Sequence, residues 1–485
     1  MLQPVAKREP KPYPAPLEKN ALGQYMTPSN IALFMASLFS RKEGPLHLLD
    51  PGAGQGALIS AFLKKWKEGF FSFQPGSIEA IEFDNLLLPS LREHIENQKE
   101  FLPVSINIRN TDFIEQAAYR ILHHERPYTH AILNPPYRKI NSNSRHRLLL
   151  RDVGIETVNL YSAFVALSVA MLTAGGQIVA ILPRSFCNGP YFKPFRGFIL
   201  RHASIGHIHL FATRNKAFKA DKVLQENVIM MLERGTPQGA VTVSTSTDDS
   251  LDDFSANSYP FTKIVYPDDP ESFFHIPANG KDTLAYPDAL GHTLADVGLE
   301  VSTGPVVDFR VKEFLRDMPE AGDVPLLYSA HFNGHVRWPI KGFRKPNAIA
   351  CRPETMKWLY PSGFYVTVRR LSFKEEKRRI VASIVDPARF PGMDWLGFEN
   401  HLNIFHCRKK GISENIARGL TVYLNSSFID SMLRRFNGHT QVNATDLRSL
   451  RYPTQEMLEA LGQWAQAQNE LTPSSIDRIL ENMLK

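Results

Sequence analysis

LHLLDPGAGQGALISAFLKKW, residues 46–66, is the stretch that decides the fold class. An apolar run ends at Asp50, a turn follows with glycines at 52, 54 and 56, and apolar residues then recur at helical spacing. Strand, glycine turn and helix in that order form the junction where a Rossmann-like domain receives a nucleotide, because glycine lets the backbone approach a ligand and the loop opens onto a helix N-terminus. Taken alone, Gly54-x-Gly56 is equally a tight turn between strand and helix.

The neighbouring strands add weight. SIEAIEFD, residues 77–84, ends near Glu82, where such a fold places a carboxylate that accepts from ribose hydroxyls, and Phe83 is placed to lie against an adenine ring. The third strand leads to Asp112 and Phe113, where Asp112 is suited to read a cofactor's exocyclic amine. The glycine spacing GxGxG, in place of GxGxxG, favours a methyl donor, S-adenosylmethionine, over NAD. Upstream, GQYMTP (23–28) precedes an apolar helix; Thr27 or Ser29 suits its N-cap and Pro28 its first turn, so the segment reads either as a helix start or as part of the site.

Further outward, apolar runs alternate with amphipathic stretches. Strands are predicted over 47–50, 77–83, 105–108, 130–133, 177–182, 205–210 and 228–232, with helices over 57–66 and 161–172. The fold class is therefore α/β, a Rossmann-like domain with a mixed parallel sheet, followed by a C-terminal α+β domain. The expected boundaries are a flexible segment over 1–20, the catalytic domain over 21–245, a linker or sheet edge over 246–275, and the recognition domain over 276–485, with helical stretches at 417–436 and after Thr472. The Pro- and Lys-rich first residues contain no apolar h-region, so no signal peptide is expected.

The sharpest chemical signal is AILNPPY, residues 131–137. Two prolines make the loop rigid where an apolar strand ends, the edge at which α/β enzymes keep their sites. An aromatic amine is a poor nucleophile because its lone pair is delocalised into the ring. The Asn134 side-chain oxygen and the Pro135 carbonyl can each accept an N–H bond and favour a tetrahedral nitrogen, while Pro136 braces the turn and Tyr137 offers a stacking face for an unstacked base. The bland alternative is a plain turn.

A charge of +7 over 485 residues favours a polyanionic partner, although RNA or an acidic membrane would also suit it. The three cysteines form no CxxC pair, which argues against a zinc site or a disulfide framework, and no run approaches a membrane span. No metal is expected, and the location is expected to be cytoplasmic.

The ordered series GQYMTP, DPGAGQG, IEFD, TDF, NPPY and ETVNLYSAFVALSVAMLTAGGQIVAILPRSF resembles the gamma-class N6-adenine DNA methyltransferases of restriction-modification systems, the class containing the TaqI enzyme, over about residues 21–235. The resemblance implies Tyr25, Thr27 and Pro28 near the methionine moiety, Asp50, Gly52 and Gly54 in the cofactor loop, and Glu82 on the ribose. It also puts Asp112 and Phe113 at the adenine, and Asn159, Leu160 and Tyr161 in a helix opening beside Asn134. A second aromatic is implied to face the flipped base; Phe218 is its candidate, with a surface hairpin phenylalanine as the alternative, and Lys219 and Lys222 suit phosphate contacts. Double-stranded DNA is the implied partner, with a separate cognate restriction endonuclease, and a monomer is favoured.

In the C-terminal half, VSTGPVVDFR with Arg310 and RRFNGHTQVNATDLRSL with Asn437, His439 and Gln441 mix groups that contact phosphates and base edges. The charge run at 374–379 reads as a solvated face. These segments resemble the PstI and BsuBI branch of modification methylases, which implies a CTGCAG-like target. Three alternatives stand beside adenine N6: cytosine N4, RNA or protein glutamine, and a non-catalytic DNA-binding subunit. Glu375-Glu376-Lys377 is only half of a PD-ExK nuclease site.

Overall fold

The computed structural model describes residues 27–99, 102–211, 226–277, 287–333, 335–373 and 375–484. Tyr25, Phe218, Lys219 and Lys222 lie outside the described residues. Two compact units divide the chain: residues 1–183 with 197–258, and residues 184–196 with 259–485.

The first unit is built on a nine-stranded sheet. Its strands are β1 (His47–Asp50), β2 (Gly76–Ile81), β3 (Val104–Arg109), β4 (Tyr128–Leu133), β5 (Leu172–Pro183), β6 (Ala203–Phe211), β7 (Asn227–Arg234), β8 (Val241–Ser246) and β9 (Ser255–Tyr259). They lie in the order β3-β2-β1-β4-β5-β7-β6-β8-β9. β3, β2, β1, β4 and β5 are mutually parallel, and β7 runs antiparallel to both β5 and β6. Burial follows position: all six residues of β4 are buried at the centre, whereas β3 at the edge alternates half-buried and exposed. From β1 the chain winds outward to β2 and β3, and from β4 it winds the other way to β5. The order therefore reverses between β1 and β4, and a doubly wound sheet opens its crevice at the carboxyl ends of those two strands.

The helices that matter to that crevice are α1 (Ser29–Ser37), α2 (Ala57–Lys67), α3 (Leu88–Lys99), α4 (Phe113–Leu122), α5 (Arg145–Asp152) and α6 (Leu160–Met171). α2 places Leu58, Ile59, Phe62, Leu63 and Trp66 in the core, as its spacing predicts. β9 and a short helix, Phe261–Ile264, occupy the stretch expected as linker or edge.

The second unit is α+β. A four-stranded antiparallel sheet (Glu300–Thr303, Leu402–His406, Tyr365–Arg369, Ala382–Val385 in spatial order) accompanies a five-stranded mixed one. Helices Glu414–Leu424, Ser427–Phe436, Gln455–Gln466 and Pro473–Met483 begin at Ser413, Ser426, Thr454 and Thr472, each of whose hydroxyls accepts a first-turn N–H. The helical run predicted over 417–436 is thus two helices, because Ser426 caps a new one. Residues 184–196, expected in the catalytic domain, belong to this second unit. The Arg184 guanidinium donates to the carbonyls of Arg434 and Arg435, Asn188 donates to Asp446, and Arg196 donates to the Glu271 carbonyl. Both units agree with the α/β plus α+β class read from the sequence. Among the described residues no helix is long and apolar enough to cross a membrane, and no His, Cys, Asp and Glu cluster is arranged to hold a metal.

Candidate active site

At the carboxyl ends of β1 to β4 lies a cavity of about 250 Å³. The turn after β1 lines it with Pro51, Gly52 and Gly54, the end of β2 with Glu82 and Phe83, and the end of β3 with Thr111, Asp112 and Phe113. The loop after β4 adds Asn134, Pro136 and Arg138; α5 adds His146, and α6 adds Leu160 and Phe164.

The glycine turn is held by a carboxylate. Gly54, in the left-handed region at φ +55°, donates its N–H to Glu82 Oε2 at 2.8 Å, and Asp84 donates to Glu82 Oε1 at 2.7 Å. Burial pushes the Glu82 carboxyl above its ordinary value in spite of these amides. Phe83 beside it is 55 % exposed, an aromatic face at the cavity wall with little cover of its own. Asp50 is fully buried: Oδ1 accepts from Gly52 N–H at 3.4 Å, and Oδ2 finds no hydrogen-bond partner among the described residues. Burial first, then repulsion from Glu82, pushes the Asp50 carboxyl up to about 8.

The NPPY corner sits against this turn. A Cβ built on Gly52 would lie 4.0 Å from the Asn134 carbonyl oxygen and 3.8 Å from Phe164, so the glycine loop and the NPPY loop form one wall. Asn134 Nδ2 donates to Thr27 Oγ1 at 3.1 Å, and Tyr137 donates its hydroxyl to Asn134 Oδ1 at 3.1 Å. The Tyr137 ring meets Tyr161 edge-on, with centroids 6.1 Å apart. Leu160 N–H donates to the Arg138 carbonyl at 2.8 Å, which ties the opening of α6 to the NPPY loop. Pro135 is buried and Pro136 lines the cavity.

Two expectations change. Neither Thr27 nor Ser29 caps α1: the N-cap is Pro28, which has no side chain to donate or accept, and the Thr27 hydroxyl goes to Asn134. Asp112 keeps its place on the cavity wall, each carboxylate oxygen taking one donor and retaining a further lone pair. Oδ1 accepts from Glu115 N–H at 3.1 Å, capping α4, and Oδ2 pairs with His146 Nε2 at 2.8 Å. Burial raises the Asp112 pKa, but the hydrogen bond and charge of His146 outweigh it and hold the carboxyl below its usual value. The same bond raises His146. The second change is Asn437, expected on DNA. It is fully buried, donating to the Gln441 carbonyl and Asp446 and accepting from Arg379 and the His439 N–H, so its four hydrogen-bonding positions are filled within the second unit. Arg310 is exposed with its guanidinium over the Phe309 ring at 5.5 Å; Gln441 is exposed and His439 half-buried.

His146, Arg138 and Phe164 were missed by sequence reasoning. Ser144 accepts from Arg147 N–H and starts α5, a signal that locates His146 in a first turn but says nothing of its approach to Asp112, 34 residues earlier.

Residues 49–218 match the Eco57I restriction-modification methylase family. The chain is 49% identical to Type II methyltransferase M.BsuBI of Bacillus subtilis over 495 residues, covering 100% of this chain and 98% of the relative. This chain belongs to the Type II methyltransferase family. M.PstI of Providencia stuartii, another Type II methyltransferase, is 42% identical over 96% of this chain and 94% of its own. Among solved structures, the Type IIL restriction-modification enzyme MmeI in complex with DNA superposes with a TM-score of 0.51 at 11% identity, over 90% of this chain and 66% of that one. The DrdV–DNA complex gives 0.50 at 12% identity, over 92% and 57%. At such identities these two show a shared fold. Family membership makes the chain a Type II restriction-modification DNA methyltransferase, on the branch that the C-terminal segments resemble.

Proposed function

We propose that this Type II methyltransferase transfers a methyl group from S-adenosylmethionine to N6 of an adenine flipped out of duplex DNA. The observation that carries the reading is the shared wall: the Asn134 carbonyl stands 4.0 Å from a Cβ position on Gly52, so the corner that would accept the amine and the turn that would receive the donor border one cavity.

The residues fit the donor. Glu82 is placed to accept from its ribose hydroxyls, Phe83 to lie against its adenine, and the Gly52 and Gly54 backbone to approach its methionine end. Asp50, buried at the root of that loop, accepts from the Gly52 N–H and shapes the turn. When bound, the sulfonium supplies an electrophilic methyl group.

The chain's own residues do the rest. Asn134 Oδ1 and the Pro135 carbonyl accept the two N–H bonds of the target amine and draw the nitrogen toward a tetrahedral geometry as positive charge develops on it. Tyr137 stacks on the extruded base and offsets part of an unstacking cost of roughly a few kcal/mol. Arg310, His439 and Gln441 are the candidates for contacts outside the pocket, and the target sequence implied by resemblance is CTGCAG-like.

The test is nucleoside analysis of duplex DNA incubated with the protein and labelled S-adenosylmethionine. N6-methyladenine within CTGCAG is the expected product. N4-methylcytosine would overturn the choice of base, and label on RNA or protein alone would overturn the choice of substrate.

A further inference from the structure

We propose that Thr27 is a positioning residue for the Asn134 amide, holding that side chain in place at the corner where the substrate amine would be received. The inference rests on the reading of Asn134 given above.

An asparagine side chain has one acceptor end and one donor end of similar size, and its terminal torsion is soft. Two contacts fix the place and plane of that amide: the Tyr137 hydroxyl donates to Oδ1, and Thr27 Oγ1 accepts from Nδ2, each at 3.1 Å. The second comes from 107 residues away, across the unit from the lead-in to α1. A bond that distant in sequence anchors the amide to an element other than its own loop.

The local structure of α1 leaves the Thr27 hydroxyl available for this task. Pro28 occupies the N-cap with φ −58° and ψ 146°, and the helix start is made by the backbone, with Ala32 N–H donating to the Pro28 carbonyl at 2.9 Å. A hydroxyl beside a helix start is ordinarily spent as its cap. Here it is spent on Asn134. Donation from Nδ2 to Thr27 also polarises the amide and strengthens Oδ1 as an acceptor, since linked hydrogen bonds reinforce one another in a half-buried site.

Single-turnover methyl transfer to duplex DNA at saturating cofactor provides the test, read for the wild-type protein, Thr27→Val and Thr27→Ser. The valine keeps the shape and loses the oxygen, while serine keeps the oxygen. Thr27→Val is expected to slow transfer at saturating cofactor by roughly ten- to a hundredfold, as misplaced catalytic groups do, beyond any change in cofactor affinity read by titration calorimetry, and Thr27→Ser to recover most of the rate. Rates are taken per mole of cofactor-binding sites, so chain that fails to fold does not count. A wild-type rate in Thr27→Val, or a loss that appears only as weaker cofactor binding, would overturn the inference. Absence of N6-methyladenine from the wild-type reaction would instead overturn the functional reading on which it rests.

Discussion

Asn134 and Asn437 sit in motifs that look alike on paper, each an asparagine among turn formers and polar residues, and the fold uses them in opposite ways. Asn134 lines a cavity at the carboxyl end of β4, anchored by Thr27 and Tyr137. Asn437 is fully buried, and it fills its hydrogen-bonding positions with Asp446, Arg379 and nearby backbone. Composition marks a segment as polar and specific; whether that specificity serves a ligand or the fold depends on what the topology packs around it.

The sharpest way to break the comparison is to truncate both. Asn134→Ala should lower methyl transfer by about a hundred- to a thousandfold, the usual consequence of losing one acceptor or donor aimed at developing charge. Its urea midpoint should barely move, because a half-buried cavity residue carries little of the core. Asn437→Ala should do the reverse. It leaves the buried Arg379 and Asp446 short of a partner and should cost roughly 2–4 kcal/mol of stability by urea titration, with activity per folded molecule retained. Equal stability losses in the two variants would dissolve the distinction.

Smaller changes sharpen the picture of the cavity. Tyr137→Ala should weaken extrusion of the target base by about 1–3 kcal/mol, the worth of an aromatic stacking face, read with a fluorescent adenine analogue in the target position. Tyr137→Phe keeps the ring and loses only the hydroxyl on Asn134, so extrusion should persist while transfer slows. The least effect concerns His146. Its folded-state pKa is raised by the hydrogen bond to Asp112, so its contribution to stability is fully present below the ordinary value of 6.5 and is lost as pH rises through the raised one. Melting temperature followed across neutral pH should fall more in the wild type than in His146→Gln, the difference being the His146 step, because Asp50 contributes a fall to both.

Much of this cavity was legible in the sequence. Glycine conformation, apolar period and proline placement are local properties, so β1, the turn after it, α2 and the NPPY loop appear close to the predicted positions. The place of Glu82 was legible because it follows from strand order. The partners of Asp112 and Thr27 were not, since both bonds join segments distant in sequence, and nothing local distinguishes His146 from any other residue in the first turn of a helix. Residues 184–196 follow β5 directly in the chain, and only the bonds of Arg184, Asn188 and Arg196 to residues much later in the chain reveal the unit they join.

The account turns on the Asn134 amide meeting the exocyclic nitrogen of an extrahelical base in the cavity bordered by Gly52 and Gly54. A crystal structure of the protein with a non-reactive cofactor analogue and a duplex containing CTGCAG measures that meeting. The predicted result is an adenine outside the helix with its N6 about 3 Å from Asn134 Oδ1 and the analogue against the glycine turn. A fully stacked duplex beside an occupied cofactor site, or an extruded base whose amine points away from Asn134, would contradict it.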